Sequence, residues 1–117
     1  EATINVTVNN ENQPPIETLV LNVTSPSNDA SFKRTGSITV TGTSQGAVQV
    51  VVKLVGGNTA TVYKTNTITN NVANWGTSFT GLSSYIYFAG AYKIVVTATN
   101  ANGTTTTKEI PINISLY

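Results

Sequence analysis

Histidine, cysteine and methionine are absent from this chain, and charge is nearly so: Asp, Glu, Lys and Arg make up 9% of its 117 residues, against roughly 25% in an ordinary globular domain. Each absence removes a class of function. Without Cys there is no disulfide framework, and without Cys or His the thiolate and imidazole ligands of a transition-metal site are missing, as are the usual nucleophile–base pairs of a hydrolase. The acids are Glu1, Glu11, Glu17, Asp29 and Glu109, the first three in the N-terminal arm or at its junction. They encode neither a calcium cluster nor the paired carboxylates of glycoside hydrolysis. Gly56-Gly57 closes a strand-like run rather than opening a helix, so there is no phosphate loop. A net charge of +1 supplies no field for nucleic acid or anionic membrane. No apolar run reaches the ~18 residues of a membrane span. The expectation is a protein that is not an enzyme and has no cofactor, no metal, no nucleic-acid partner and no membrane span. A first residue other than Met points to a processed N-terminus, and the lack of oxidisable Met and Cys suits an exposed extracellular or cell-surface protein.

What remains is apolar residues at 39%, including three Phe, five Tyr and one Trp, set among abundant Thr and Asn. Period-two alternation dominates, which is the pattern of half-buried strands. Ile4, Val6 and Val8 share one face of a first run, and a polar stretch then leads into Pro14-Pro15. Seven further strand-like runs follow, each closed by turn residues: 17–24, 37–43, 47–55, 60–69, 74–80, 91–100 and 104–117. Trp75 and Phe79 lie in one phase and are expected in the core. The mostly polar 60–69 run reads as an edge strand. Pro111 demotes the last run to an edge or bulged strand, and Asn102-Gly103 before it is a hairpin turn. Seven short strands at this spacing around a central Trp predict an all-β, immunoglobulin-like β-sandwich over 16–117. Residues 1–15 are then an additional N-terminal strand with a proline-containing linker.

Ser25-Pro26, Thr39-Val40-Thr41-Gly42-Thr43, Val50-Val51-Val52, Trp75 with Phe79 and Leu82, and the run from Tyr92 to Asn102-Gly103 resemble the immunoglobulin-like surface domains of bacteria and archaea. Those domains are repeated in adhesins, S-layer proteins, secreted enzymes and extracellular filaments. The resemblance covers about residues 17–115 and implies a cell-surface role. Tyr92 resembles the tyrosine that caps the connection into the sixth strand of such sandwiches, and Ile94 stands where a half-cystine is found in disulfide-bonded relatives.

Four glycosylation sequons begin at Asn5, Asn22, Asn102 and Asn113. Tyr85, Tyr87 and Phe88 fall in the connection before Tyr92, either as a sugar- or protein-contact patch or as a cover over the open end of the sandwich. Lys33-Arg34 reads as a solvated basic spot. Lys53, Lys93 or Lys108 facing an Asn, with Glu109 as helper, are the candidates for an isopeptide bond. The surplus strand is the most informative feature, because an apolar face of Ile4, Val6 and Val8 has to be covered. Donated to the next subunit, it makes copies of this chain the partner in a head-to-tail homopolymer. The alternatives are a spacer module of a tandem-repeat adhesin or S-layer protein, and an accessory module binding a carbohydrate or receptor through Tyr85, Tyr87 and Phe88.

Overall fold

The structure, a computed structural model, describes residues 18–117; Ile4, Val6, Val8 and the sequon at Asn5 lie outside them. Eight strands run in chain order: β1 Val20–Ser25, β2 Ala30–Lys33, β3 Ile38–Gln45, β4 Gln49–Gly56, β5 Val62–Ile68, β6 Gly76–Phe79, β7 Gly90–Thr99 and β8 Thr105–Ser115. They form a three-stranded sheet in the order β1-β3-β6 and a five-stranded sheet in the order β2-β8-β7-β4-β5. All pairings are antiparallel except β2 with β8. All seven strand runs expected of the sandwich are present.

The alternating residues explain the stacking. Val50, Val52 and Leu54 of β4, Ile94, Val96 and Ala98 of β7, and Ile110, Ile112 and Ile114 of β8 turn the same way and are buried. They meet Leu21, Ile38, Val40 and Phe79 from the smaller sheet. Removing such apolar side chains from water contributes about 1.5–3 kcal/mol each. Ile94 is fully buried, filling the core at the place expected of a half-cystine.

Trp75 sits at the centre against β3, and Gly42 makes room for it. A Cβ on Gly42 would collide with the Asn22 carbonyl and the Trp75 ring, and the Gly42 N–H donates to the Trp75 carbonyl at 3.1 Å. The indole Nε1 is buried without a hydrogen-bond partner, a cost of about 1–3 kcal/mol that the buried ring must outweigh.

Three expectations are corrected. The short strand β2 stands where a loop was expected: Asp29, at φ 65°, turns the chain after the cis Ser25–Pro26 peptide and lays Ala30–Lys33 beside β8. Consequently β8 is not a simple edge. It pairs with β7 without a register shift, and its last residues are covered by β2 on the other side. Pro111 is tolerated because it sits where that coverage begins, its carbonyl accepting the Asp29 N–H at 2.7 Å. Arg34 is half-buried rather than solvated, and its Nη1 donates to the Ile86 carbonyl at 3.1 Å.

Candidate functional site

Strand directions sort the connections to two ends of the sandwich. Val20 pairs with Gln45, and Gln49 and Thr105 both pair with Thr99. The chain therefore comes into β1 at the end that carries the Asn100–Thr104 hairpin. At the opposite end Ile114 pairs with Gly90 and Tyr92 with Gly56, and there the chain leaves β8 beside the β4–β5 hairpin and the connection from β6 to β7.

The β6–β7 connection contains the three aromatics singled out above, and the structure separates them. Gly81, at φ 63°, starts a 3-10 turn over Leu82–Ser84. Leu82 and Ile86 then plug the open end of the sandwich, both fully buried. Tyr85 packs half-buried against the core, its hydroxyl donating to the Thr80 carbonyl at 3.2 Å, and burial pushes its phenol above the ordinary range. Tyr87 is 61% exposed and Phe88 74% exposed. The Tyr87 hydroxyl is spent on the Ser84 carbonyl at 2.8 Å. The cover over the open end is thus mainly Leu82 and Ile86, aliphatic residues the sequence pattern did not single out for that role, while Tyr87 and Phe88 face outward. Tyr92 forms the expected corner, donating to the Phe88 carbonyl at 2.6 Å. Its phenol is raised by burial and by the neighbouring Tyr63.

A groove of about 280 Å³ lies between Phe88–Gly90 on one side and the β4–β5 hairpin at Gly57–Thr59 on the other, with Tyr63 and Tyr92 in its lining. These two rings meet edge to face at 5.6 Å. A broader trough of about 550 Å³ crosses the outer face of the five-stranded sheet, where Val55, Val62 and Val95 lie between Lys53 and Lys93. Lys93 pairs there with Glu109 at 3.4 Å. No charged or polar side chain among the described residues is buried, so the Lys–Asn–acid constellation of an isopeptide bond is not assembled in the interior. No group of three or more acids among the described residues is placed to hold a metal ion.

Among the described residues, β5 is the longest strand with a single sheet neighbour, in keeping with the edge expected of residues 60–69. Beside it, Asn66 Nδ2 crosses to the other sheet and donates to Thr77 Oγ1 at 2.9 Å and to the Ser78 carbonyl at 3.1 Å. Asn22 on β1, Asn102 in the hairpin and Asn113 on β8 are all exposed. No helix among the described residues is long and apolar enough to cross a membrane.

No protein-family model matches the chain, and no curated protein sequence matches it. Solved structures are similar in fold. An engineered protein superposes with a TM-score of 0.61 at 22% identity over 85% of this chain, which spans only 20% of that protein's length. The fibronectin(III)-like modules of Clostridium thermocellum CbhA give 0.55 at 11% identity, covering 83% of this chain and 95% of theirs. CopC from Methylosinus trichosporium OB3b gives 0.54 at 10% identity, covering 86% and 96%. At such identities the likeness concerns the fold alone, and residues 18–117 are an immunoglobulin- and fibronectin-like β-sandwich.

Proposed function

We propose that this chain is a structural subunit of an extracellular filament or surface lattice, polymerising head-to-tail by donating residues Thr3–Val8 to the next copy. The observation that carries the reading is that residues 18–117 already supply eight strands in two sheets around one apolar core, so the alternating run of Ile4, Val6 and Val8 is additional to that set. An alternating apolar run calls for cover, and the sheet edge of a neighbouring copy would supply it. A second feature supports the polarity. The chain comes into β1 at one end of the sandwich and leaves β8 at the other, which suits a repeating axis.

With no groove to fill, donation means adding to a free edge, and β5 is the acceptor that fits. It has seven residues for a donor of six. An arm that reaches out of the β1 end of one subunit and over the aromatic end of the next would lie antiparallel to β5, the geometry that main-chain pairing prefers. Residues 9–16 reach about 26 Å at roughly 3.3 Å per residue, enough to bridge two bodies. Asn22, Asn102 and Asn113 are exposed and open to glycosylation in a secreted protein.

The test is assembly. The full chain should form fibres visible by electron microscopy, and deletion of residues 1–9 should leave soluble monomers by light scattering. Polymers that survive the deletion would sink the proposal. The same collinear ends would serve a spacer module in a tandem array; a full-length gene with further such sandwiches on both sides and a chain that stays monomeric would favour that instead.

A further inference from the structure

The groove beside Phe88 has a chemistry that filament formation does not use. Its size is the first constraint. Small-molecule sites commonly span roughly 300–1,000 Å³, and about 280 Å³ accommodates one saturated six-membered ring with its substituents rather than a larger ligand. Charge is the second: no acidic or basic side chain lines it, so an anionic or cationic ligand would lose hydration without a counter-charge. The third is the pairing of surfaces. Phe88 is 74% exposed, and the opposite side of the lining includes Asn58 and Thr59, which carry an amide and a hydroxyl. Thr59 Oγ1 already accepts the Thr61 N–H at 3.3 Å, which leaves its proton free to donate.

Both walls are held in place without a ligand. The Gly57 N–H donates to the Ala91 carbonyl at 3.1 Å, and the hairpin lies so close that a Cβ on Gly57 would press on Ala91. The Phe88 carbonyl is gripped by the Tyr92 hydroxyl at 2.6 Å. Each wall is therefore fixed to β7, so little ordering entropy is lost when something binds between them. At Gly90 an added Cβ would meet nothing within 4 Å, so the backbone there is open to solvent.

We infer that this groove is a binding subsite for one neutral pyranose ring of a glycan, whose C–H face stacks on Phe88 and whose hydroxyls bond to Asn58 and Thr59. A pyranose combines an apolar face with a polar rim, which is the combination these residues present. Every residue the inference uses belongs to the sandwich, but a neighbour's arm is proposed to arrive at this same end, so binding is compared with and without assembly.

Ligand-observed saturation-transfer NMR tests it on the full chain and on the chain lacking residues 1–9, which separates a groove covered by a neighbour from one that binds nothing. The probes are the methyl glycosides of glucose, mannose, galactose and N-acetylglucosamine. Saturation should reach the ring protons of at least one of them. Phe88→Ala should weaken that binding about tenfold, the size expected for loss of an aromatic contact. Asn58→Ala should weaken it as well, and Phe88→Trp should retain it. Silence from all four glycosides on both chains would overturn the inference, as would transfer that is undiminished in Phe88→Ala.

Discussion

The two ends of this sandwich are built from different materials. At the end where the chain comes into β1, the β7–β8 connection is a tight polar turn: Asn100 Oδ1 accepts the N–H groups of both Asn102 and Thr104 at 2.9 Å, and Gly103 supplies a φ of 85°. The opposite end is closed by side chains rather than by turn chemistry. Leu82 and Ile86 sink into the core, Arg34 and Tyr92 grip the carbonyls of Ile86 and Phe88, and Tyr87, Phe88 and the 91%-exposed Tyr117 remain outside. A polar turn shapes backbone and asks for nothing further. The plugged end leaves aromatic side chains facing outward, and the candidate groove and the proposed arrival of a neighbour's arm both fall there.

The contrast is broken most severely by removing the plug. Ile86→Ala leaves a cavity under a fully buried residue and should cost about 2–5 kcal/mol, measured as the shift in urea-unfolding free energy. Asn100→Ala, which deletes the organising acceptor of the other end, should cost only about 1 kcal/mol per exposed hydrogen bond lost. If the two losses came out equal, the ends would not differ in the way described.

The difference between the ends also marks what was legible in the sequence. Asn102-Gly103 between two alternating runs carries its turn in the residues themselves, and the seven main strands are readable for the same local reason. The Tyr92 corner was visible through its resemblance to known sandwiches. β2 was not, because Ala30–Lys33 alternates over only four residues and its partner β8 is some eighty positions away in the chain; a parallel pairing at that separation leaves no local trace. The aromatic connection was half-legible. Sequence places Tyr85, Tyr87 and Phe88 together, but their fates depend on Arg34 and on the β4–β5 hairpin, which only the fold brings near. The groove partners Asn58 and Thr59 were missed for that reason: beside Gly56-Gly57 they read simply as a turn.

A smaller effect separates the ends by pH. Tyr92 and Tyr85 are held above the ordinary tyrosine value of 10.0, by burial in both cases and by Tyr63 as well for Tyr92. The folded state thus keeps these protons more tightly than the unfolded chain does. Their contribution is fully present below about pH 10 and is lost as pH rises through the raised folded values. Unfolding free energy should fall between pH 9 and pH 12. Tyr92→Phe should lose about 1 kcal/mol at pH 7 with the Phe88 hydrogen bond, yet show a shallower alkaline decline than the parent. A decline of unchanged slope would mean that Tyr92 is not among the groups responsible.

The smallest expected effect is the most discriminating, because it concerns a residue only two positions from the most damaging one. Phe88→Ala should change unfolding free energy by no more than about 0.5 kcal/mol. The ring is 74% exposed, so its truncation returns little apolar area to water. The Tyr92 bond reaches the Phe88 carbonyl, which alanine keeps. Ile86 and Phe88 thus occupy one short segment with opposite duties, one closing the core and the other facing out of it. If Phe88→Ala instead destabilised the protein by several kcal/mol, the ring would belong to the plug, and the groove would lose the wall on which a ligand is expected to stack.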